Sequence, residues 1–240
     1  MKKIFPVVLL TLLLCNFFGC SNSLTHPAED SPMDSSLNNF KEKKDYQIET
    51  TTEITRYGNS IVQYPKLIHE TFDYTVANNA IKAHLDEKMA EWFEGSASGV
   101  VSDFYYTVMY SGKNLLSILF EGIFQDGGTA HPEAFSFSCH IDLNKQSVID
   151  PTSLFEFHED FWSLFKQGVA SAHDESRFNK ADWSEISSYI SAYSNKELQE
   201  IVCAEPAETL VLAQNGIIVL FPVPHAMGDY LKIFVTYAWE

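Results

Sequence analysis

Residues 104–124, FYYTVMYSGKNLLSILFEGIF, decide the fold predicted for this chain. Two apolar and aromatic runs, 104–110 and 115–124, stand on either side of the polar tetrapeptide 111–114, which contains a glycine. Such runs around a short glycine-containing loop are typical of a β-hairpin. The centre of the folded region is therefore predicted to be an antiparallel sheet.

Further strands are predicted on both sides of this hairpin. Alternating apolar residues indicate an early strand pair within residues 46–68 and a strand at 134–143. Three β-rich segments close the chain, at residues 209–213, 217–221 and 231–237.

Helices are predicted between these strands, where apolar residues recur at helical spacing. They fall around residues 77–92, 161–172 and 186–193, with a short fourth one at 196–202. Asp182 and Glu185 resemble a capping box at the start of the third helix. Because no βαβ alternation is present, the predicted class is α+β: one domain with a mainly antiparallel sheet and two to four helices.

The composition is that of an acidic globular protein. The 240 residues carry a formal net charge of −16, and 45% of them are apolar, which is enough for one buried core. A strongly negative surface repels nucleic acid, so no nucleic-acid partner is expected. The acidic excess has two interpretations: a diffusely charged surface, or a face that meets a basic partner such as a cationic protein.

The first twenty residues have the pattern of a lipoprotein export signal. Lys2 and Lys3 precede an apolar run that ends in Phe-Phe-Gly-Cys at Cys20. The run is shorter than the roughly 20 residues of a membrane-spanning helix, so cleavage before Cys20 is predicted. The Cys20 thiol would then carry a diacylglycerol and anchor the protein to the lipid bilayer.

This signal implies a division of the chain and a location. Residues 1–19 are predicted to be a signal peptide, 20–45 a lipidated cysteine with a flexible tether, and 46–240 the folded domain. The expected location is the bacterial cell envelope, outside the cytoplasm. Loss of Lys2 and Lys3 would change the formal charge from −16 to −18.

Two cysteines remain in the predicted domain, Cys139 and Cys203. A pair of cysteines in an exported chain often forms a disulfide, and this bond is predicted here. Two free thiols are the alternative, because spacing alone does not show that the residues meet. The sequence contains neither CxxC nor HExxH, and no cofactor or metal is predicted.

A candidate ligand-binding loop lies between two predicted strands and contains Asp126, Gly127, Gly128 and His131. Adjacent glycines allow the backbone amides to approach a ligand, and the histidine could serve as base, ligand or hydrogen-bond anchor. No nucleophile elbow or phosphate-loop spacing surrounds it, so no catalytic residue is predicted. A turn in which His131 bonds the backbone is the structural alternative. His225, on the loop 222–228, is a second candidate binding residue.

His140 and Asp142 form a weaker signal, because residues two positions apart in a strand share a face. Such a pair could bind a metal. A solvated strand face is the more ordinary interpretation, and it is the one we expect.

Several of these motifs resemble a known family. Gly127-Gly128, Ala130-His131-Pro132 and the segments 140–144 and 154–155 resemble the RsiV-like extracellular domain, the lysozyme-sensing domain of an anti-sigma factor. The same kind of domain precedes the catalytic domain of PdaC-type peptidoglycan deacetylases. The resemblance spans about residues 46–237, and the chain departs from the family pattern at Thr129 and His225. It implies an α+β domain that binds at the cell envelope and has no catalytic residues.

The predicted function is therefore that of a surface-anchored lipoprotein, a non-catalytic binding module for an envelope component or a cationic protein such as lysozyme. The alternative is a cell-wall-polymer hydrolase or metal-dependent enzyme that uses the His131 loop. That activity would require a second titratable group at the loop, such as Asp126, His140 or Glu121. A purely structural envelope protein is a third interpretation.

Overall fold

The predicted hairpin forms an edge strand and its neighbour in a four-stranded antiparallel sheet of the computed structural model, which describes residues 44–54, 60–93, 100–125, 131–171 and 180–237. The predicted signal peptide, Cys20, most of the tether, and Asp126, Gly127 and Gly128 lie outside the described residues. Within the described ranges, no helix combines the length and apolar character needed to cross a membrane.

Among the residues that the structure describes, nine strands form three antiparallel sheets. The strands are β1 Gln47–Ile54, β2 Ile61–Ile68, β3 Val100–Ser111, β4 Leu115–Gln125, β5 Glu133–Asp142, β6 Ser147–Val148, β7 Leu210–Ala213, β8 Gly216–Pro222 and β9 Tyr230–Val235. The four-stranded sheet has the order β3-β4-β5-β6, and the others are β1-β2 and β7-β8-β9.

Five α-helices accompany the sheets in the described part of the chain, so the predicted α+β class is confirmed. They are α1 Thr75–Phe93, α2 Glu159–Ser171, α3 Lys180–Ser191, α4 Asn195–Ala204 and α5 Pro206–Thr209. The count exceeds the predicted two to four because α5, a four-residue turn that begins at a proline, has too little periodicity to be detected.

The capping box prediction at Asp182 is wrong. A capping residue precedes the first helical turn, whereas α3 begins at Lys180 and therefore contains Asp182. The capping box of this region starts α4 instead. There Ser194 Oγ accepts the Glu197 amide at 3.3 Å, and the Glu197 carboxylate accepts the Ser194 amide at 2.8 Å.

Both faces of the four-stranded sheet are covered. On one face, Phe137, Cys139 and other alternate residues of β4 and β5 pack against α1, whose buried residues recur every four positions. On the opposite face, Leu119 packs against Val211 and Leu220 of the three-stranded sheet. The outer face of that second sheet is buried beneath α2, α3 and α4.

A two-residue loop joins β7 to β8, and the residues on either side of it, Ala213 and Gly216, are paired. A Cβ atom on Gly216 would lie 2.2 Å from the Val235 carbonyl oxygen of β9. Only glycine allows the backbones of β8 and β9 to approach this closely.

Tyr46 is a buried residue directly before β1. Its hydroxyl donates to the Gly112 carbonyl oxygen at 2.9 Å, in the loop between β3 and β4. Its ring meets that of Tyr74 edge to face, with centroids 5.6 Å apart. The start of β1 is thus attached to the central hairpin, 66 positions along the chain.

Candidate functional site

Two candidate binding residues from separate loops, His131 and His225, lie side by side. His131 is two residues before β5, and His225 begins the 3₁₀ turn His225–Met227 between β8 and β9. Their ring centroids are 6.2 Å apart, and both side chains are exposed. The structure therefore brings two of the candidate binding residues together.

Asp229 joins the His225 loop to the start of β5. One carboxylate oxygen lies 2.7 Å from His225 Nδ1, and the other accepts the Ala134 amide of β5 at 2.8 Å. Asp229 has a φ of 72° and follows Gly228, whose φ is 98°. A left-handed non-glycine residue is unusual, and such strain is often found at binding loops. Asp229 is not among the binding residues predicted from the sequence, although a Gly-Asp pair is a common signal for a left-handed turn.

A cavity of about 270 Å³ adjoins this loop, and we call it the acidic cavity. It is bounded by the end of α1, the start of β5, the α4–α5 connection and the end of β8. Its apolar lining includes Trp92, Phe135, Ile201 and Leu220. The Trp92 ring packs on Phe135, with centroids 5.2 Å apart.

Three carboxylates, those of Glu205, Glu208 and Asp229, also line the acidic cavity. Glu208 shares the buried ammonium group of Lys88 with Glu91, at 3.2 and 2.7 Å respectively. Burial opposes the charge of Lys88, but the two carboxylates outweigh it and raise the pKa of Lys88. None of the described residues that line the cavity is basic.

Tyr230 separates the acidic cavity from a buried carboxylate. Its hydroxyl donates to Glu121 at 2.8 Å, and Lys232 Nζ lies 2.5 Å from the same oxygen. Burial, followed by the negative charge of Glu121, raises the pKa of Tyr230 well above its usual value. Glu121 is thus held between the two larger sheets, and its described contacts do not include His131.

The expectation that His140 and Asp142 lie on a solvated strand face is wrong. Both are buried, because the second sheet covers this face of β5. His140 Nε2 lies 3.0 Å from the Leu210 carbonyl oxygen, and burial lowers the pKa of His140 to about 4. The Asp142 carboxylate accepts the amides of Asn144 and Lys145, which closes a turn. Among the described residues, no cluster of three or more His, Cys, Asp or Glu side chains is arranged to hold a metal.

The structure also contradicts the predicted disulfide, because Cys139 and Cys203 are free thiols. Strand alternation directs Cys139 toward α1, on one face of the sheet. Cys203 belongs to α4, which leads into α5. The α5 region lies on the other face of the sheet, because Ser138, the neighbour of Cys139 in β5, donates to the carbonyl oxygens of Ala207 and Leu210 there. Burial raises the pKa of both thiols.

No family model matches the sequence, and no curated protein matches it. Two solved structures are similar. A DUF3298 family member from Bacteroides fragilis NCTC 9343 is 14% identical, with 82% of this chain and 92% of that chain covered and a TM-score of 0.43. A DUF3298 family protein from Pseudomonas aeruginosa PAO1 is 10% identical, with 83% and 92% covered and a TM-score of 0.45. Neither is described as an RsiV-like domain, so that resemblance stays a prediction.

Proposed function

We propose that this protein is a lipid-anchored, non-catalytic binding module of the cell envelope that binds a cationic protein. Lysozyme is the partner that the family resemblance implies. The observation that supports the proposal most directly is the position of the acidic cavity. Asp229 both lines this cavity and contacts His225, whose ring lies next to that of His131, so the cavity adjoins two of the residues singled out for binding.

The charge of the whole chain supports the same partner class. A formal charge of −16 attracts a basic protein over distances longer than any contact. This attraction is screened beyond about 8 Å at physiological ionic strength, so it raises the association rate more than the specificity.

Specific contacts must then hold the partner, because net charge alone would bind every basic protein equally. The loops of His131 and His225 suit this role. Asp229 ties the His225 loop to the sheet, and a fixed loop loses less conformational entropy on binding than a mobile one.

Titration of the Cys20→Ala chain, which lacks the lipid, tests the proposal. Its partners should be lysozyme, an unrelated protein of equal basicity, and purified peptidoglycan, at low and physiological salt. We expect lysozyme to retain binding at physiological salt, whereas the basic control loses it. Equal weak binding to both proteins that vanishes with salt would contradict the proposal. Binding to peptidoglycan alone would favour an envelope polymer as the partner.

Two histidine variants locate the contact. His225→Gln should weaken lysozyme binding because it changes a side chain on the proposed binding loop. His158→Gln is the matched control, because His158 is also exposed but lies before α2, where its side chain is near Glu156 instead of Asp229. Equal effects of the two changes would place the contact elsewhere.

The hydrolase alternative is favoured by one observation. The His225 and Asp229 side chains meet beside His131, and a carboxylate that orients a histidine is common in acid–base sites. Of the partners that the sequence suggested for His131, Glu121 and His140 are engaged between the sheets. Release of soluble fragments from purified peptidoglycan, abolished by His131→Ala, would support this activity over binding alone.

A further inference from the structure

We infer that the acidic cavity is a socket for one basic side chain, an arginine or a lysine, presented by the partner protein. The aliphatic stem of that side chain would lie against Trp92 and Leu220, and its charged end would meet Glu205. This inference rests on the proposed function and deepens it, because it names the group by which a cationic protein is recognised.

The size of the cavity limits its occupant. Its volume of about 270 Å³ is below the range of roughly 300–1,000 Å³ that is typical of small-molecule sites. A single long side chain suits such a volume, whereas a folded segment of a partner does not. The occupant is therefore inferred to be an anchor residue, of the kind that dominates binding energy when it fills a preformed pocket.

The lining requires an occupant with both apolar and charged parts. Phe135 and Leu220 are almost completely buried, and Trp92 and Ile201 are half-buried. Arginine and lysine bury their methylene stems on such surfaces and keep the cationic end near water. The tryptophan ring adds a favourable face for a cation.

The carboxylates differ in their availability to a ligand. Both oxygens of Asp229 are engaged, by His225 and Ala134, and Glu208 holds Lys88. Glu205 is exposed, and no partner of its side chain is found among the described residues. Glu205 is therefore the carboxylate that meets the charged end of the occupant.

Small amides of single amino acids test this chemistry without any protein partner. N-acetylarginine amide carries the cation, and N-acetylcitrulline amide has nearly the same shape without the charge. Titration of each into the Cys20→Ala chain should be followed by NMR at the Trp92 indole and the Leu220 methyl groups. We expect saturable shifts at both positions, with the arginine probe binding about fivefold more tightly, as an exposed ion pair provides.

Two substitutions on the same helical region sharpen the result. Glu205→Gln should weaken the arginine probe about two- to fivefold and leave the citrulline probe unchanged. Glu200→Gln is the matched control, because Glu200 is exposed on α4 and lies near Lys196 instead of the cavity. Equal affinity for the two probes, or an arginine affinity indifferent to Glu205→Gln, would overturn the inference.

A blocking variant separates this inference from the proposed function. Ala204→Phe introduces a large ring at the lining of the acidic cavity and should abolish the arginine shifts. If lysozyme still binds this variant with unchanged affinity, the socket is refuted and the binding module stands. If the arginine probe binds the unmodified cavity but lysozyme does not bind the protein, the socket stands and lysozyme is not the partner.

Discussion

The Asp229 carboxylate accepts a hydrogen bond from the Ala134 amide at 2.8 Å, and this bond joins the loop before β9 to the start of β5. The two residues are 95 positions apart. The other oxygen of the same carboxylate meets His225 at 2.7 Å. The Asp229 side chain therefore fixes the position of His225 relative to the four-stranded sheet.

Replacement of Asp229 is expected to loosen this connection. Asp229→Ala should lower the free energy of unfolding by about 1–3 kcal/mol, because the Ala134 amide loses its acceptor. Asp229→Asn should cost less, since asparagine keeps one acceptor oxygen and tolerates a φ of 72°. Urea denaturation at neutral pH measures both changes, and equal losses would contradict a role for the acceptor.

His140 predicts a dependence of stability on pH. Burial lowers its pKa from the usual 6.5 to about 4, so between these values the unfolded chain binds more protons than the folded one. The contribution of neutral His140 to the free energy of unfolding is complete above pH 6.5. As the pH falls toward 4, this contribution should be lost, and the free energy of unfolding should decrease by up to about 3 kcal/mol. Burial also lowers the pKa of His84, which acts in the same direction.

Urea denaturation at several pH values between 7 and 4.5 tests this dependence. His140→Gln should reduce the loss of stability on acidification, whereas the exposed His158→Gln should leave it unchanged. If the free energy of unfolding falls equally with pH in wild type and His140→Gln, another group is responsible for the loss of stability.

Gly216→Ala is expected to destabilise the second sheet. The added Cβ would lie 2.2 Å from the Val235 carbonyl oxygen, so β8 and β9 must separate, at a cost of about 1–3 kcal/mol. Asn215→Ala, at an exposed position of the same hairpin, should cost much less. Thermal denaturation of the two variants gives the comparison, and similar melting temperatures would exclude this steric explanation.

Alkylation without reductant is expected to modify both domain cysteines. In the folded Cys20→Ala chain, half-buried Cys203 should react first, and buried Cys139 should react only on unfolding. Mass spectrometry over time follows the two thiols. A species that resists alkylation in denaturant until reductant is added would show that Cys139 and Cys203 form a disulfide after all.

The lipid anchor stays a prediction of the sequence. Only a thiol at position 20 can accept the diacylglycerol, so Cys20→Ala should release the protein from membranes or leave it unprocessed. Membrane fractionation with and without detergent measures this. Wild-type behaviour of the variant would exclude Cys20 as the attachment point.

The strands and longer helices could be predicted because their signals are local. The paired apolar runs of 104–124 contain both strands of the central hairpin and the loop between them. The fourth helix was predicted at 196–202, within one residue of the start of α4, but its capping box was missed. Ser194 and Glu197 have the standard capping spacing, and Asp182 offered a similar pattern twelve residues earlier.

The environment of each strand face could not be predicted from alternation. The pattern correctly places His140 and Asp142 on one face, but burial depends on a second sheet formed some seventy residues later, as the contact between His140 and Leu210 illustrates. The same limit applies to Cys139 and Cys203. They lie on opposite sides of the sheet because α1 and α4 pack on different faces, and the spacing of the two cysteines does not indicate this. The acidic cavity draws its lining from several segments that are far apart in the chain, so no local pattern indicates it.

The attachment of Tyr46 has a mechanical consequence. Any tension transmitted along the preceding segment reaches Tyr46 before it reaches β1. There it is resisted by the hydrogen bond to Gly112 and by the ring packing on Tyr74. The load therefore passes into the central hairpin, and the eight paired positions of β1 and β2 are not the first to yield.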